Sequence, residues 1–241
     1  MKKSAKKRTM KMYEENPYLN EFESKITNID HENNCIELEK TAFYGQSGGQ
    51  PGDTGILEIN SKKIEVKNTL KNKNTILHQL EETENINIGN LIKGKIDWVK
   101  RYKFMRMHTA LHILCSVIPM GVTGGQISFE KSRLDFNADA TSINKEDIQK
   151  KLNEITKINH QVEYEWITYE ELEKKPELVR TMSVKPPRVT DKIRLVKIGN
   201  IDLQPCGGTH VNETNEIGSI IIGKIENKGK MNRRINISIS D

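Results

Sequence analysis

The chain has little cysteine: Cys35, Cys115 and Cys206 are its three, an odd count without a CxxC pair. That excludes the bridged framework of a small secreted domain and fits a reducing cytoplasm. Long apolar runs are missing too. No stretch approaches the roughly 18 residues a spanning helix needs, and the basic start from Met1 to Met12 lacks the apolar centre of a signal peptide. The expectation is a soluble, cytoplasmic protein with no membrane partner. Two catalytic signatures are also absent. No Gly-Lys-Ser/Thr follows the glycine-rich stretch, which excludes a phosphate loop, and Thr109 stands where an HExxH peptidase needs its glutamate.

What is present is a polar but foldable mixture of 241 residues, 35% hydrophobic and 29% charged, with a net charge of +5. The length suits two modest domains. Positive charge gathers at Lys2, Lys3, Lys6, Lys7, Arg8 and Lys11, again at Arg101, Lys103 and Arg106, and at Arg233 and Arg234. The total favours a polyanionic partner only mildly, and the middle cluster is the one that bears on function.

From Phe22 to Val99 the pattern is short alternating runs between turn formers. Lys25–Ile29 and Cys35–Glu39 read as one hairpin, Ile56–Ile59 and Ile64–Val66 as a second across Asn60-Ser61-Lys62-Lys63, with further strands at Thr75–His78 and Asn90–Ile96. About six strands predict a small antiparallel barrel. Residues 41–55 hold five glycines and a proline and read as a turn-rich loop. The period then changes to helical, from Arg101 to Ile118, with Phe104, Met107, Ala110, Leu111, Leu114, Val117 and Ile118 as the stripe and Pro119 as the stop.

After a glycine-rich connection at 121–126, a strand is expected at Ser132–Phe136. A helix capped by Asn144 should carry Ile148, Leu152, Ile155 and Ile158 on one face. Val162, Tyr164 and Trp166 alternate as a strand, Thr168–Glu171 is a capping box, and Pro186-Pro187 interrupts before a strand at Ile193–Ile198. Gly218–Ile225 and Arg234–Ser240 close the fold as a hairpin. The whole reads as α+β: a small antiparallel β-barrel followed by a two-layer α+β domain.

Two short motifs carry the chemistry. His108-Thr109-Ala110-Leu111-His112 sets two imidazoles side by side at the edge of the helical stripe, and Cys206-Gly207-Gly208-Thr209-His210 offers a thiolate and an imidazole from a glycine turn. That donor set suits one Zn²⁺. Four protein ligands close a tetrahedral zinc as in a structural site, whereas catalysis needs a position for water or one histidine outside the metal shell to orient it; the sequence leaves both open.

These motifs, with residues 41–55 upstream and Asn215-Glu216-Ile217-Gly218 downstream, resemble the editing domain of alanyl-tRNA synthetases, and still more the free-standing alanyl-tRNA editing proteins of the AlaX family, medium type. The resemblance implies a translation-factor-like barrel at 22–99 after a basic extension at 1–21, and a zinc-containing editing domain at 100–241 with His108, His112, Cys206 and His210 as ligands. It implies a hydrolase for tRNA(Ala) carrying serine or glycine, at a pocket walled by Gly48, Gly49 and Gln50. Thr123 and Gln126 are the candidates for the serine hydroxyl, and Arg101, Lys103 and Arg106 for acceptor-stem phosphates. The alternative is a zinc-stabilised tRNA-binding module without catalysis. Oligomeric state is not set by the sequence.

Overall fold

Alternation builds the first part of the chain. In strand β2 (Glu21–Asp30) Phe22, Ser24 and Ile26 are buried while the residues between them face out, and β8 (Leu91–Ile96) repeats the pattern with Ile92 and Ile96 inside. With β3 (Cys35–Leu38), β5 (Gly55–Ile59), β6 (Lys62–Asn72) and β7 (Thr75–Leu80) they close a six-stranded barrel in the order β2-β3-β7-β6-β5-β8, every pair antiparallel. Its core holds Phe22, Ile26, Ile36, Leu38, Phe43, Leu57, Val66 and Leu80. The second hairpin is tighter than expected. Asn60 and Ser61 both take positive φ, 51° and 64°, so two residues make the turn and β6 starts at Lys62.

The computed structural model describes residues 8–139, 143–182 and 192–240. The basic run from Lys2 to Lys7 and the Pro186-Pro187 interruption lie outside the described residues. The chain divides into two compact units, Met1–Ser47 with Pro51–Arg101, and Gly48–Gln50 with Tyr102–Asp241. Residues expected in an N-terminal extension take part in the first unit: β1 (Met10–Lys11) pairs in parallel with β4 (Lys40–Thr41), and the single turn after it buries Tyr13 against Tyr44, ring centroids 5.2 Å apart.

Helix α1 (Trp98–Val117) starts where Asp97 accepts from the Lys100 N–H at 3.2 Å. Beyond the expected stripe, Met105 and Ile113 on its other sides are also buried. The helix is therefore enclosed, and His108 and His112, 8% and 6% exposed, are interior rather than edge residues.

The second unit adds two sheets. Residues 121–126 were expected as a connection, but Val122–Gln126 is a strand, β9, paired to β10 (Ser132–Phe136). With β14 (Ser219–Asn227) and β15 (Arg233–Ser240) they form a sheet in the order β14-β15-β10-β9. Helix α2 (Lys145–Lys157) is capped by Asn144, whose Oδ1 accepts from the Asp147 N–H, and it buries Ile148 and Leu152. Its Gln149 bonds the backbone of Ile220 and Ile222 on β14, at 2.7 and 2.8 Å. Ile158 does not join that face: it follows the last turn and is 62% exposed.

The other sheet is β11 (Val162–Thr168), β12 (Lys192–Ile198) and β13 (Asp202–Pro205), in that order. Trp166 points outward on β11, 44% exposed, and the capping box at Thr168 opens α3 (Tyr169–Glu173) as expected. Strand β13 was not foreseen, and it delivers the second ligand motif.

Candidate metal centre

The two motifs converge. One ligand atom each from His108, His112, Cys206 and His210 lies within 4.8 Å of all the others. The Cys206 Sγ is 3.5 Å from His108 Nε2 and 3.4 Å from His210 Nε2. Tetrahedral zinc with bonds of about 2.3 Å to sulfur and about 2.0–2.1 Å to nitrogen needs separations of roughly 3.5 Å along those edges. The donor set and its spacing fit a zinc ion.

The surroundings explain why the imidazoles point this way. His108 Nδ1 donates to Gln50 Oε1 at 2.9 Å, His210 Nδ1 to Thr109 Oγ1 at 3.2 Å, and His112 Nδ1 to Asp202 Oδ2 at 2.8 Å. Each ring therefore has its Nδ1 engaged and leaves Nε2 for the centre. Thr109, which the sequence reading used only to exclude a peptidase, passes its own proton to the Met105 carbonyl at 3.0 Å and also accepts from the Val211 N–H at 3.3 Å. It ties α1 to the second motif.

The glycine turn is held as firmly. Arg194 on β12 donates through Nε to the Cys206 carbonyl at 3.0 Å and through Nη2 to the Gly208 carbonyl, and its guanidinium lies 4.6 Å from the Tyr164 ring centre. Burial opposes ionisation of Cys206, but the His108 and His210 imidazoles beside it outweigh burial and hold the thiol well below its ordinary pKa. Burial, and then its crowding by His108, keeps His210 well below 6.5 and neutral. His112 differs: burial acts against its proton, yet the Asp202 carboxylate and Cys206 raise it to about 10. A thiolate, a neutral imidazole and one proton that a cation can replace suit metal binding.

Gly48, Gly49 and Gln50 belong to the unit that holds this centre. Gln50 has no exposure; its Oε1 accepts from His108 and from the Thr209 N–H at 3.1 Å, and its Nε2 donates to Thr209 Oγ1 at 2.8 Å. Gly49 lies against β9: its carbonyl accepts from the Ile127 N–H at 2.8 Å, and a Cβ on it would stand 2.8 Å from the Gly125 carbonyl oxygen. The backbone of Gln126 comes to the same place, and its side chain accepts from Arg133 Nε at 3.3 Å. Thr123 turns its hydroxyl to the Asp135 carbonyl at 3.1 Å.

Of the three cations proposed for phosphates, Arg101 is corrected. It has no exposure, forms a buried ion pair with Asp53, and donates to the Pro17 and Ala42 carbonyls at 2.9 and 2.6 Å. Arg106 is spent on structure as well, with Nε and Nη2 on the Ile217 carbonyl at 3.2 and 2.8 Å, while Tyr102 donates to Glu216 at 2.8 Å. These bonds are what residues 215–218 do: they fasten α1. Asp202, Gln204 and Arg194 were not among the residues expected at the site. Polar residues at both buried positions of β13, immediately before Cys206, were the available signal for the first two.

The chain is similar along its length to known proteins. A family profile described as "Threonyl and Alanyl tRNA synthetase second additional domain" matches residues 193–236, and one described as "tRNA synthetases class II (A)" matches residues 3–100. The alanyl-tRNA editing protein AlaX-M of Methanosarcina mazei is 37% identical over 236 residues, 93% of this chain and 94% of that protein. AlaX-M of Saccharolobus solfataricus is 37% identical over 94% of this chain and 97% of its own length. The alanine–tRNA ligase of Thermococcus kodakarensis is 34% identical over 90% of this chain but only 24% of the ligase. Identity at this level along nearly the full length of both partners places the chain in the AlaX family of alanyl-tRNA editing proteins.

Proposed function

We propose that the chain is a trans-editing hydrolase that cleaves the ester of Ser-tRNA(Ala), and of Gly-tRNA(Ala), at a zinc site formed by His108, His112, Cys206 and His210. The observation that carries this reading is the convergence of three pinned imidazoles and a thiolate beside the Gly49-Gln50 tip. The chemistry explains the need: a pocket built for alanine rejects neither the smaller glycine nor serine with its one added hydroxyl by the required margin, so a second, hydrolytic site supplies the rest.

A zinc ion bound here would supply Lewis-acid polarisation of the ester. The chain's own groups do the remainder. Gln50 and Thr109 keep His108 and His210 in one tautomer, and Asp202 does so for His112. Gly49, without a side chain, lets the loop that carries Gln50 lie against β9, and to Thr123 and Gln126 on that strand we assign recognition of the serine hydroxyl.

Incubation with Ser-tRNA(Ala), Gly-tRNA(Ala) and Ala-tRNA(Ala) tests the reading. Serine should be released far faster than from enzyme-free controls while alanine stays attached, and Cys206→Ala should remove metal and activity together. An intact serine ester, with tRNA bound in a salt-dependent way, would establish the non-catalytic binding module instead.

A further inference from the structure

We propose that Phe129, backed by Lys103, is a stacking platform for the terminal nucleobase of the acylated RNA. Of the five phenylalanines, Phe22, Phe43, Phe104 and Phe136 are buried, while Phe129 is 39% exposed. It sits in the connection between β9 and β10, and that connection is held by its own bonds: the Ser128 N–H donates to Ser132 Oγ at 3.2 Å, and Ser128 Oγ donates to the Lys131 carbonyl. The connection is thus ordered by its own bonds before any ligand arrives, which lowers the ordering cost of binding.

Position gives the ring its occupant. Phe129 lies two residues beyond Ile127, whose N–H bonds Gly49, and Gly49 adjoins Gln50, the partner of His108. From the other side, Lys103 on α1 lies about 7.5 Å along the axis from His108, and its Nζ is 6.0 Å from the Phe129 ring centre. The ring thus follows the strand end that Gly49 contacts and meets a lysine of the helix that carries His108, within the unit that holds the metal centre. In an aminoacylated RNA the terminal base and the ester are carried by the same ribose, so a base must lie near wherever the ester is cleaved. An exposed aromatic face with a cation behind it is the usual way proteins hold an unpaired base and its phosphate. With Arg101 and Arg106 committed elsewhere, Lys103 is the member of that basic cluster left for RNA; among the described residues it has no carboxylate partner.

The proposal rests on the deacylation reading, and the experiment separates the two. Serine-charged acceptor RNA is compared with the same RNA carrying an abasic terminal ribose, using the full chain and Phe129→Ala. Phe129→Ala should raise KM about tenfold with kcat, zinc content and melting temperature unchanged, and Phe129→Trp should restore KM. The abasic substrate should cost the wild type the same factor and cost Phe129→Ala nothing further. Lys103→Ala should reduce the salt slope of binding by about one phosphate contact. An unchanged KM in Phe129→Ala, or losses that multiply, overturns the platform. If the wild type releases no serine from either RNA, the deacylation reading fails instead, and the platform is judged by affinity for uncharged acceptor RNA, where Phe129→Ala binding as tightly as wild type overturns it.

Discussion

If His108 holds zinc as proposed, Gly208→Ala is expected to displace that ligand without altering any of the four cluster residues. A Cβ at position 208 would stand 2.1 Å from His108 Cε1 and 2.3 Å from its Nδ1. Ordinary contact begins near 3.4 Å, so something must move by roughly an ångström, against a tolerance of about 0.2 Å in a metal–ligand bond. The loop is not free to yield, because Arg194 holds the Gly208 carbonyl and Gln50 holds Thr209 on both its N–H and its hydroxyl. The imidazole must turn instead, which breaks the His108–Gln50 bond and carries Nε2 away from the centre. Loss of an outer partner alone typically costs 10–100-fold in metal affinity, so loss of the ligand should cost at least about 100-fold.

Gly207→Ala is the matched control. Nothing lies within 4 Å of a Cβ there, and Gly207 is not among the positive-φ glycines. Zinc affinity is measured for both variants by competition with a chromophoric chelator, alongside melting of the metal-free proteins. The expected result is wild-type affinity for Gly207→Ala and a loss of two orders of magnitude for Gly208→Ala. A Gly208→Ala protein that binds zinc within threefold of wild type would refute the geometry of the turn.

Arg101→Ala should destabilise the first unit by about 3–5 kcal/mol, because it strands the buried Asp53 carboxylate and two carbonyls; chemical unfolding measures this, and unchanged stability with weakened RNA binding would return Arg101 to a phosphate role. His78, unexposed in the barrel, has its pKa depressed by burial from 6.5 to about 4, with the Ile36 carbonyl working the other way. The unfolded chain therefore binds the extra proton across that window: stability is complete above pH 6.5 and falls by about 3 kcal/mol as the pH drops through 4. The wild-type unfolding free energy should lose this increment and His78→Gln should not; identical pH dependence would clear His78. Gln50→Ala should lower zinc affinity about 10–100-fold while leaving the barrel's stability unchanged, and no change in affinity would mean that the His108 ring is held by other contacts.

How much of this was legible depends on whether a residue's partner is set locally. The barrel was legible because the alternation in β2 and β8 is written within a few residues. The clustering of His108, His112, Cys206 and His210 was legible because their types are rare and their spacing repeats. Arg101 misled because a cation next to a ligand helix looks like a phosphate contact, and only the fold brings Asp53 to it, from 48 positions away. Val122–Gln126 misled because two glycines hide a strand whose pairing comes from β10. Asp202 was silent for the same reason: its partner, His112, lies 90 positions earlier.

The unequal partners of the three imidazoles have an electrostatic consequence. Gln50 and Thr109 are neutral acceptors and add no charge to His108 and His210, whereas Asp202 puts a carboxylate on His112. Asp202 is itself 7% exposed, and Gln204 Nε2 donates to it at 2.8 Å. With the thiolate of Cys206, itself half-buried, the cluster holds two negative charges close together and partly out of water, an arrangement that is costly unless it is balanced. A divalent cation balances both; a proton on His112 balances one. The same carboxylate that orients His112 therefore favours a doubly charged ion over the proton that competes with it, and a second carboxylate in place of Gln50 would leave an uncompensated negative charge buried beside His108. That is a physical reason for an amide at position 50: it accepts from His108, donates to Thr209, and with a divalent cation bound would leave the charge of the centre at zero.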